Sequence, residues 1–119
     1  MVVDLLQSVL SDADADRVFQ ALADSTRRDI LARAIEYEQS VSSLARRYEI
    51  SLTAVQKHVG VLERAALVSK RRSGREQIVI ANQATLRQAA TLLEAFEQLW
   101  IQRATKIAEI LTEEEGEPA

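Results

Sequence analysis

Helical periodicity dominates this chain. In "VVDLLQSVL" the apolar residues fall on one side of a short amphipathic helix, over about residues 2–10. "SDADAD" breaks the pattern and offers several N-caps. Val18, Phe19 and Leu22 then mark another helical face. Asp24 can cap a helix whose apolar stripe is Ile30, Leu31, Ala34 and Ile35, ending at "YEQS". "VSSLARRYE", Val41 to Glu49, reads as a short helix with Leu44 and Ala45 turned inward. Ser51 can cap the next one, in which Val55, Val59, Leu62 and Ala66 recur at helical spacing. Two short helices joined by a few residues make a helix-turn-helix.

Beyond this helix the period changes. "LVSKRR" and "EQIVIA" are short extended runs, with Val68 in the first and Ile78 and Ile80 in the second. They flank "SGRE", a turn built on Gly74, and predict a two-stranded hairpin that carries Arg71, Arg72 and Arg75 at its tip. One long helix follows, from Gln83 to about Leu111. Leu86, Leu93, Trp100 and Ile107 recur every seven residues, with Ala89, Phe96 and Ile110 on the adjoining row. A stripe that long exceeds what a small domain can cover alone, so part of it is expected to pack on a second copy. "TEEEGEPA" closes the chain, and residues 113–119 read as an acidic flexible tail. The expected architecture is mainly α, with five or six helices and a small two-stranded hairpin in one domain over residues 1–112.

The helix after Ser51 has a second side. Thr53, Gln56, Lys57 and Gly60 recur opposite its apolar stripe, with no large apolar group among them. In a helix-turn-helix the second helix enters the DNA major groove. Gln56 can bond bidentately to adenine, and Lys57 can reach guanine or a phosphate. The Thr53 hydroxyl serves either, and its methyl can meet a thymine methyl. Gly60 would let the backbone approach closely. Such side chains are equally common on the surface of a helical bundle. The hairpin adds weight: Lys70, Arg71, Arg72 and Arg75 on an exposed turn suit a wing that rides on phosphates or enters the minor groove. The DNA-reading part is thus placed at about residues 40–81.

Composition bounds the rest. The 119 residues fit one compact domain, with 47% apolar and 28% charged residues. No apolar run is long enough to span a bilayer and the N-terminus lacks signal-peptide features, so a cytoplasmic protein with no membrane partner is expected. A net charge of -3 argues against a nucleic-acid partner at first sight. Its distribution argues otherwise: from Ser40 to Glu76 eight Lys/Arg face three Glu, leaving +5 there and -8 elsewhere.

"VFQALADSTRRDIL", "VSSLARRYEISLTAVQKHVGVLERAALV" and "KRRSGREQIVIA" resemble, in order and spacing, the ArsR/SmtB family of bacterial winged helix-turn-helix repressors. The likeness runs from about Arg17 to Ala81, and "LLEAFEQLW" in the long terminal helix is also typical. It implies a homodimer on an imperfectly palindromic promoter site, joined through the terminal helices at about 2–10 and 83–111. Ser51, Thr53, Ala54, Gln56, Lys57 and His58 would then belong to the recognition helix, and Lys70, Arg71, Arg72 and Arg75 to the wing. Leu5, Leu6, Val9, Leu93, Phe96, Trp100 and Ile107 would form the dimer interface. Two departures stand out. Glu49 occupies the turn position where such sequences often carry Gly. The Cys-x-Cys motif and the last-helix His of metal-sensing members are missing, since the chain has no Cys and a single His. No metal sensing and no cofactor are therefore expected, and the resemblance is closest to cysteine-free members, some of which repress their own promoters.

A few residues keep two readings. His58 lies between the two sides of its helix, as a boundary residue donating to a carbonyl or as a phosphate contact. Arg27 and Arg28 open a helix, where cations are unfavourable. Pairing with Asp24 or Asp29 fits Arg27, whereas Arg28 is equally open to a phosphate contact. Trp100 fits a dimer core or, less simply, the wall of a ligand pocket. An enzyme finds no nucleophile elbow, Gly-rich phosphate loop or ligand-spaced acidic cluster here. A protein-interaction module working through the long C-terminal helix is the other reading.

Overall fold

The computed structural model describes residues 10–116, so the first expected helix, with Leu5, Leu6 and Val9, lies outside the described residues. Within them the order is α1 (Asp12–Leu22), α2 (Ser25–Glu36), β1 (Gln39–Ser40), α3 (Val41–Tyr48), α4 (Leu52–Arg64), β2 (Val68–Ser73), β3 (Glu76–Ala81) and α5 (Gln83–Gly116). Four side chains start helices as N-caps or just ahead of them. Ser11 accepts from the amide of Asp14, Asp24 from Arg27, Ser40 from Ser43 and Ser51 from Ala54, each satisfying a first-turn amide that lacks a helical partner.

The expected hairpin forms between β2 and β3. β1 joins it as a third antiparallel strand, giving the order β1-β3-β2. Gln39 pairs with Val79 and Ser40 with Ile78 on one side of β3, and Lys70 with Val79 on the other. A two-residue strand is too short to show an alternating pattern, so "YEQS" reads only as the end of a helix. This extra strand makes β3 central and turns Val79 into the core, while Ile78 and Ile80 stay half-buried. Gly74, at φ 62°, takes the first position of the two-residue turn, where a type II′ hairpin requires positive φ.

One core joins the elements: Val18 and Ala21 of α1, Ile30 and Ala34 of α2, Val41 and Leu44 of α3, Val55, Val59 and Leu62 of α4, with Leu67, Val68 and Val79 from the sheet side. Ala66, expected in the apolar stripe of α4, is instead exposed, because the helix ends at Arg64 and Ala66 adopts φ 59°. That left-handed residue lets the Leu67 amide reach back to the Leu62 carbonyl at 3.0 Å, a Schellman closure that drops Leu67 into the core.

α5 starts on Asn82, whose Oδ1 accepts from the Ala84 amide while its Nδ2 donates to the Ala66 carbonyl and to Thr85. The helix does not stop near Leu111. It carries Glu113 to Glu115 in its last turns and ends at Gly116. Its buried residues are Thr85, Ala89, Leu92 and Ala95, so Ala89 belongs to the protomer core and not to the exposed row. From Trp100 to Glu115 every residue is exposed. The protein is accordingly elongated: its Cα radius of gyration is 20.8 Å, against about 13.5 Å for a compact chain of this length.

Candidate nucleic-acid interface

α3 and α4 form the helix-turn-helix, and the turn is made at Glu49. Its φ of 54° and ψ of 38° place it in the left-handed region, where its own amide and that of Ile50 both reach the Ala45 carbonyl. The usual glycine is absent, yet the turn keeps the geometry that glycine serves. Ser51 then caps α4 through its Oγ, 3.1 Å from the Ala54 amide.

Burial of Val55, Val59 and Leu62 sets the rotation of α4 about its axis. Thr53, Gln56 and Lys57 are left exposed, while Ala54, His58 and Gly60 are half-buried at the margins. A Cβ added at Gly60 would meet only the mobile end of Arg64, 3.3 Å away, so packing within the protomer does not require glycine there. His58 makes no side-chain hydrogen bond among the described residues, so the carbonyl partner of the boundary reading is not in place. It lies near Asp24, whose carboxyl is held below its ordinary value chiefly by the Arg27 amide, against opposing burial, with the charges of Arg27 and His58 adding to the effect.

The wing cations fall into two groups. Lys70 reaches Glu63 at 3.3 Å, tying the wing to the last turn of α4. Arg71 grips Glu38, just before β1, with Nη2 2.8 Å from Oε2. Arg72 and Arg75 have no ion pair among the described residues and project from the exposed end of the hairpin. Arg46 and Arg47, exposed in the last turn of α3, are likewise without an ion pair there. Sequence reasoning counted them only as charge, and a basic last turn also suits the helix dipole.

Arg27 and Arg28 are used structurally. Arg27 donates to the carbonyls of Ala21 at 2.8 Å and Gln20 at 3.0 Å, and its expected pairing with Asp24 is a loose 3.8 Å contact. Arg28 donates to Leu22 at 2.7 Å. Both close the C-terminal end of α1, whose last carbonyls lack helical donors and attract cations. Asp29 is taken by others: Arg33 Nε sits 2.8 Å from Oδ2, and the Tyr48 hydroxyl donates to the same oxygen. These donors, Tyr48 first, hold the Asp29 carboxyl below its ordinary value, while burial and the neighbouring carboxylate push the Tyr48 phenol up. The bond ties α2 to α3, and nothing in sequence spacing announces a contact between residues so far apart.

No group of three or more His, Asp or Glu side chains capable of holding a metal ion occurs among the described residues. No helix among them is long and apolar enough to cross a membrane.

Known proteins share this arrangement. The helix-turn-helix domain family matches residues 22–71, from the end of α1 into the wing. The HTH-type transcriptional regulator Rv2034 of Mycobacterium tuberculosis is 35% identical over 99 residues, 83% of this chain and 90% of that protein. An ArsR-like transcriptional regulator from Rhodococcus sp. RHA1 superposes with a TM-score of 0.73 at 38% identity, covering 82% of this chain and 92% of that one. The homodimeric winged helix-turn-helix DNA-binding domain Mb0332 from Mycobacterium bovis superposes with a TM-score of 0.60 at 25% identity, over 72% of this chain and 81% of that one.

Proposed function

Because this chain belongs to the ArsR family of winged helix-turn-helix, DNA-binding transcriptional regulators, we propose that it acts as a homodimeric repressor on a palindromic operator. The observation that carries this reading is the pairing of a firmly oriented α4 with an unneutralised wing tip. Val55, Val59 and Leu62 lock the helix so that Thr53, Gln56 and Lys57 face outward together, and Arg72 and Arg75 of the wing are exposed with no ion pair among the described residues. In the complex Gln56 reads a base edge, Thr53 and Lys57 contact bases or phosphate, and Ser51, Ala54 and His58 line the flanks of the reading surface. Arg72 and Arg75 follow the phosphates or enter the minor groove. Two copies would set their α4 helices one turn of DNA apart, about 34–36 Å, which makes the site palindromic.

Dimerisation in this reading uses the exposed side of α5, with Leu93, Phe96, Trp100 and Ile107, and the N-terminal segment with Leu5, Leu6 and Val9. It is supported by the exposure of these α5 side chains, Trp100 at 68% above all, and by the homodimeric state of the Mycobacterium bovis domain. With no thiolate and one imidazole in the chain, regulation falls to an organic ligand, a partner protein or the protein's own concentration. Repression of its own promoter is the simplest form, and a cytoplasmic location follows from access to DNA.

The test is fluorescence anisotropy against the upstream region of the protein's own gene and a random duplex of equal length, at two salt concentrations. Tighter, salt-dependent binding to the upstream region supports the reading. The same long apolar α5 would also suit a protein-docking module, and absence of salt-dependent duplex binding would favour that instead.

A further inference from the structure

α4 carries Gly60 in its interior, where glycine is destabilising relative to alanine. A Cβ built there would meet Nη1 of Arg64 at 3.3 Å, and that contact fixes where Arg64 lies. Its side chain runs back toward the start of the helix, as long helical side chains do. The guanidinium sits over Gly60, four residues or about 6 Å nearer the DNA-entering end than its own Cα. A cation serving only the helix dipole would stay beside the last carbonyls. Spacings of four, three and four put Thr53, Lys57, Gly60 and Arg64 on one face. Arg64 is exposed there with no ion pair among the described residues, since the adjacent Glu63 is held by Lys70.

Beside this guanidinium a cleft of about 340 Å³ opens between α1 and α4, lined by Arg17, Gln20, Val61 and Arg64. No carboxylate lines it. Asp14 holds one Arg17 nitrogen at 3.0 Å, but both side chains are more than half exposed, so the pair is weak and leaves the other guanidinium donors available. Gln20 adds an exposed side-chain amide. Resting on the DNA-binding reading above, we propose that this cleft holds one backbone phosphate of the operator in each protomer. Arg17 and Arg64 are its paired clamp, and Gly60 is the seat that keeps Arg64 in place. α4 has 13 residues and is about 20 Å long, against a major groove about 12 Å wide. With its first turns among the base edges, its last turn comes level with the sugar–phosphate edge. Two forked guanidinium groups suit a phosphate there.

Anisotropy titrations of the full chain on its gene's upstream region and on a random duplex, across a salt series, test the cleft. Arg17→Ala and Arg64→Ala should each weaken both duplexes by roughly three- to tenfold and flatten the log–log slope. The double variant should lose less than the two single losses combined, because both arginines act on one phosphate. Full additivity would assign them to separate phosphates and overturn the shared cleft. Gly60→Ala should unfold at a higher urea concentration than wild type yet bind about two- to threefold more weakly, and should cost nothing further in the Arg64→Ala background. A further loss in that background would overturn its role as a seat. Unchanged slopes in both arginine variants, with wild type still binding in a salt-dependent way, would overturn the cleft alone. Wild type without salt-dependent duplex binding would remove the DNA-binding reading and the cleft with it. Inorganic phosphate at millimolar concentration, exchanged for chloride at equal ionic strength, should compete equally little with wild type and with Arg64→Ala. Competition confined to wild type would assign the cleft to a free anion and not to the duplex.

Discussion

Arg71, midway along β2, is joined to Glu38 just before β1, with both terminal guanidinium nitrogens on the carboxylate at 2.8 and 3.4 Å. The ion pair is exposed, so its contribution to stability is at most about 1 kcal/mol. Its larger effect is on the charge that the wing can offer a phosphate. Glu38→Gln should free Arg71, tighten binding to any duplex and steepen the salt dependence by about 0.9 in log–log slope. Anisotropy titrations across a salt series read this, and an unchanged slope would show that Arg71 points away from the DNA.

Arg72 and Arg75 already have no ion pair among the described residues. Alanine at either should weaken specific and random duplexes alike and flatten the slope by about 0.9 per lost phosphate contact. Gln56→Ala should instead cost roughly 1–3 kcal/mol on the operator and almost nothing on random DNA. Equal losses on both would remove Gln56 as a base reader.

Glu49 and Ala66 hold left-handed backbone at φ 54° and 59°. That conformation costs a non-glycine residue about 1–2 kcal/mol, and glycine's greater freedom in the unfolded chain returns about 0.5–1 kcal/mol of it. Glu49→Gly and Ala66→Gly should therefore each stabilise the fold by about 0.5–1 kcal/mol in urea unfolding, with Glu49→Val clearly destabilising. A glycine variant less stable than wild type would mean that the Glu49 side chain has a role beyond the turn.

Asp29 supplies an acid-sensitive contribution. Its carboxyl is held below 3.8 by Tyr48 and Arg33, so the unfolded chain binds more protons in acid than the folded one. The contribution is complete above that pH and disappears as pH falls through the folded value. Asp29→Asn should be less stable than wild type at neutral pH, and the gap should narrow at about pH 3.5. A gap independent of pH would assign the loss to packing and not to the charge.

Zinc, cadmium and arsenite should leave the protein–operator complex intact at tens of micromolar. Soft metals are held by thiolates, and the chain has no cysteine; zinc is held by sets of Cys, His and carboxylates, and none occurs among the described residues. Saturable, stoichiometric loss of DNA binding with any of them would reveal a site.

Much of the fold was written in short-range chemistry. Helical spacing with Ser11, Asp24, Ser40 or Ser51 at its head is a local code, because a cap and a stripe act within a few residues of each other. The same holds for the turn at Gly74 and for the basic run after α4. Tertiary packing decided what depends on distant partners. β1 exists only because β3 passes beside Gln39 and Ser40, and that third strand selected Val79 for the core. Glu49 and Ala66 accepted left-handed backbone because packing of Ile50 against the core and burial of Leu67 outweighed a local preference. Arg71 and Arg72 are neighbours of the same type in sequence, yet only the fold brings Glu38 to one and leaves the other without an ion pair among the described residues. Charge along a chain shows how many cations a wing carries; which of them remain for DNA depends on the carboxylates that folding places within reach.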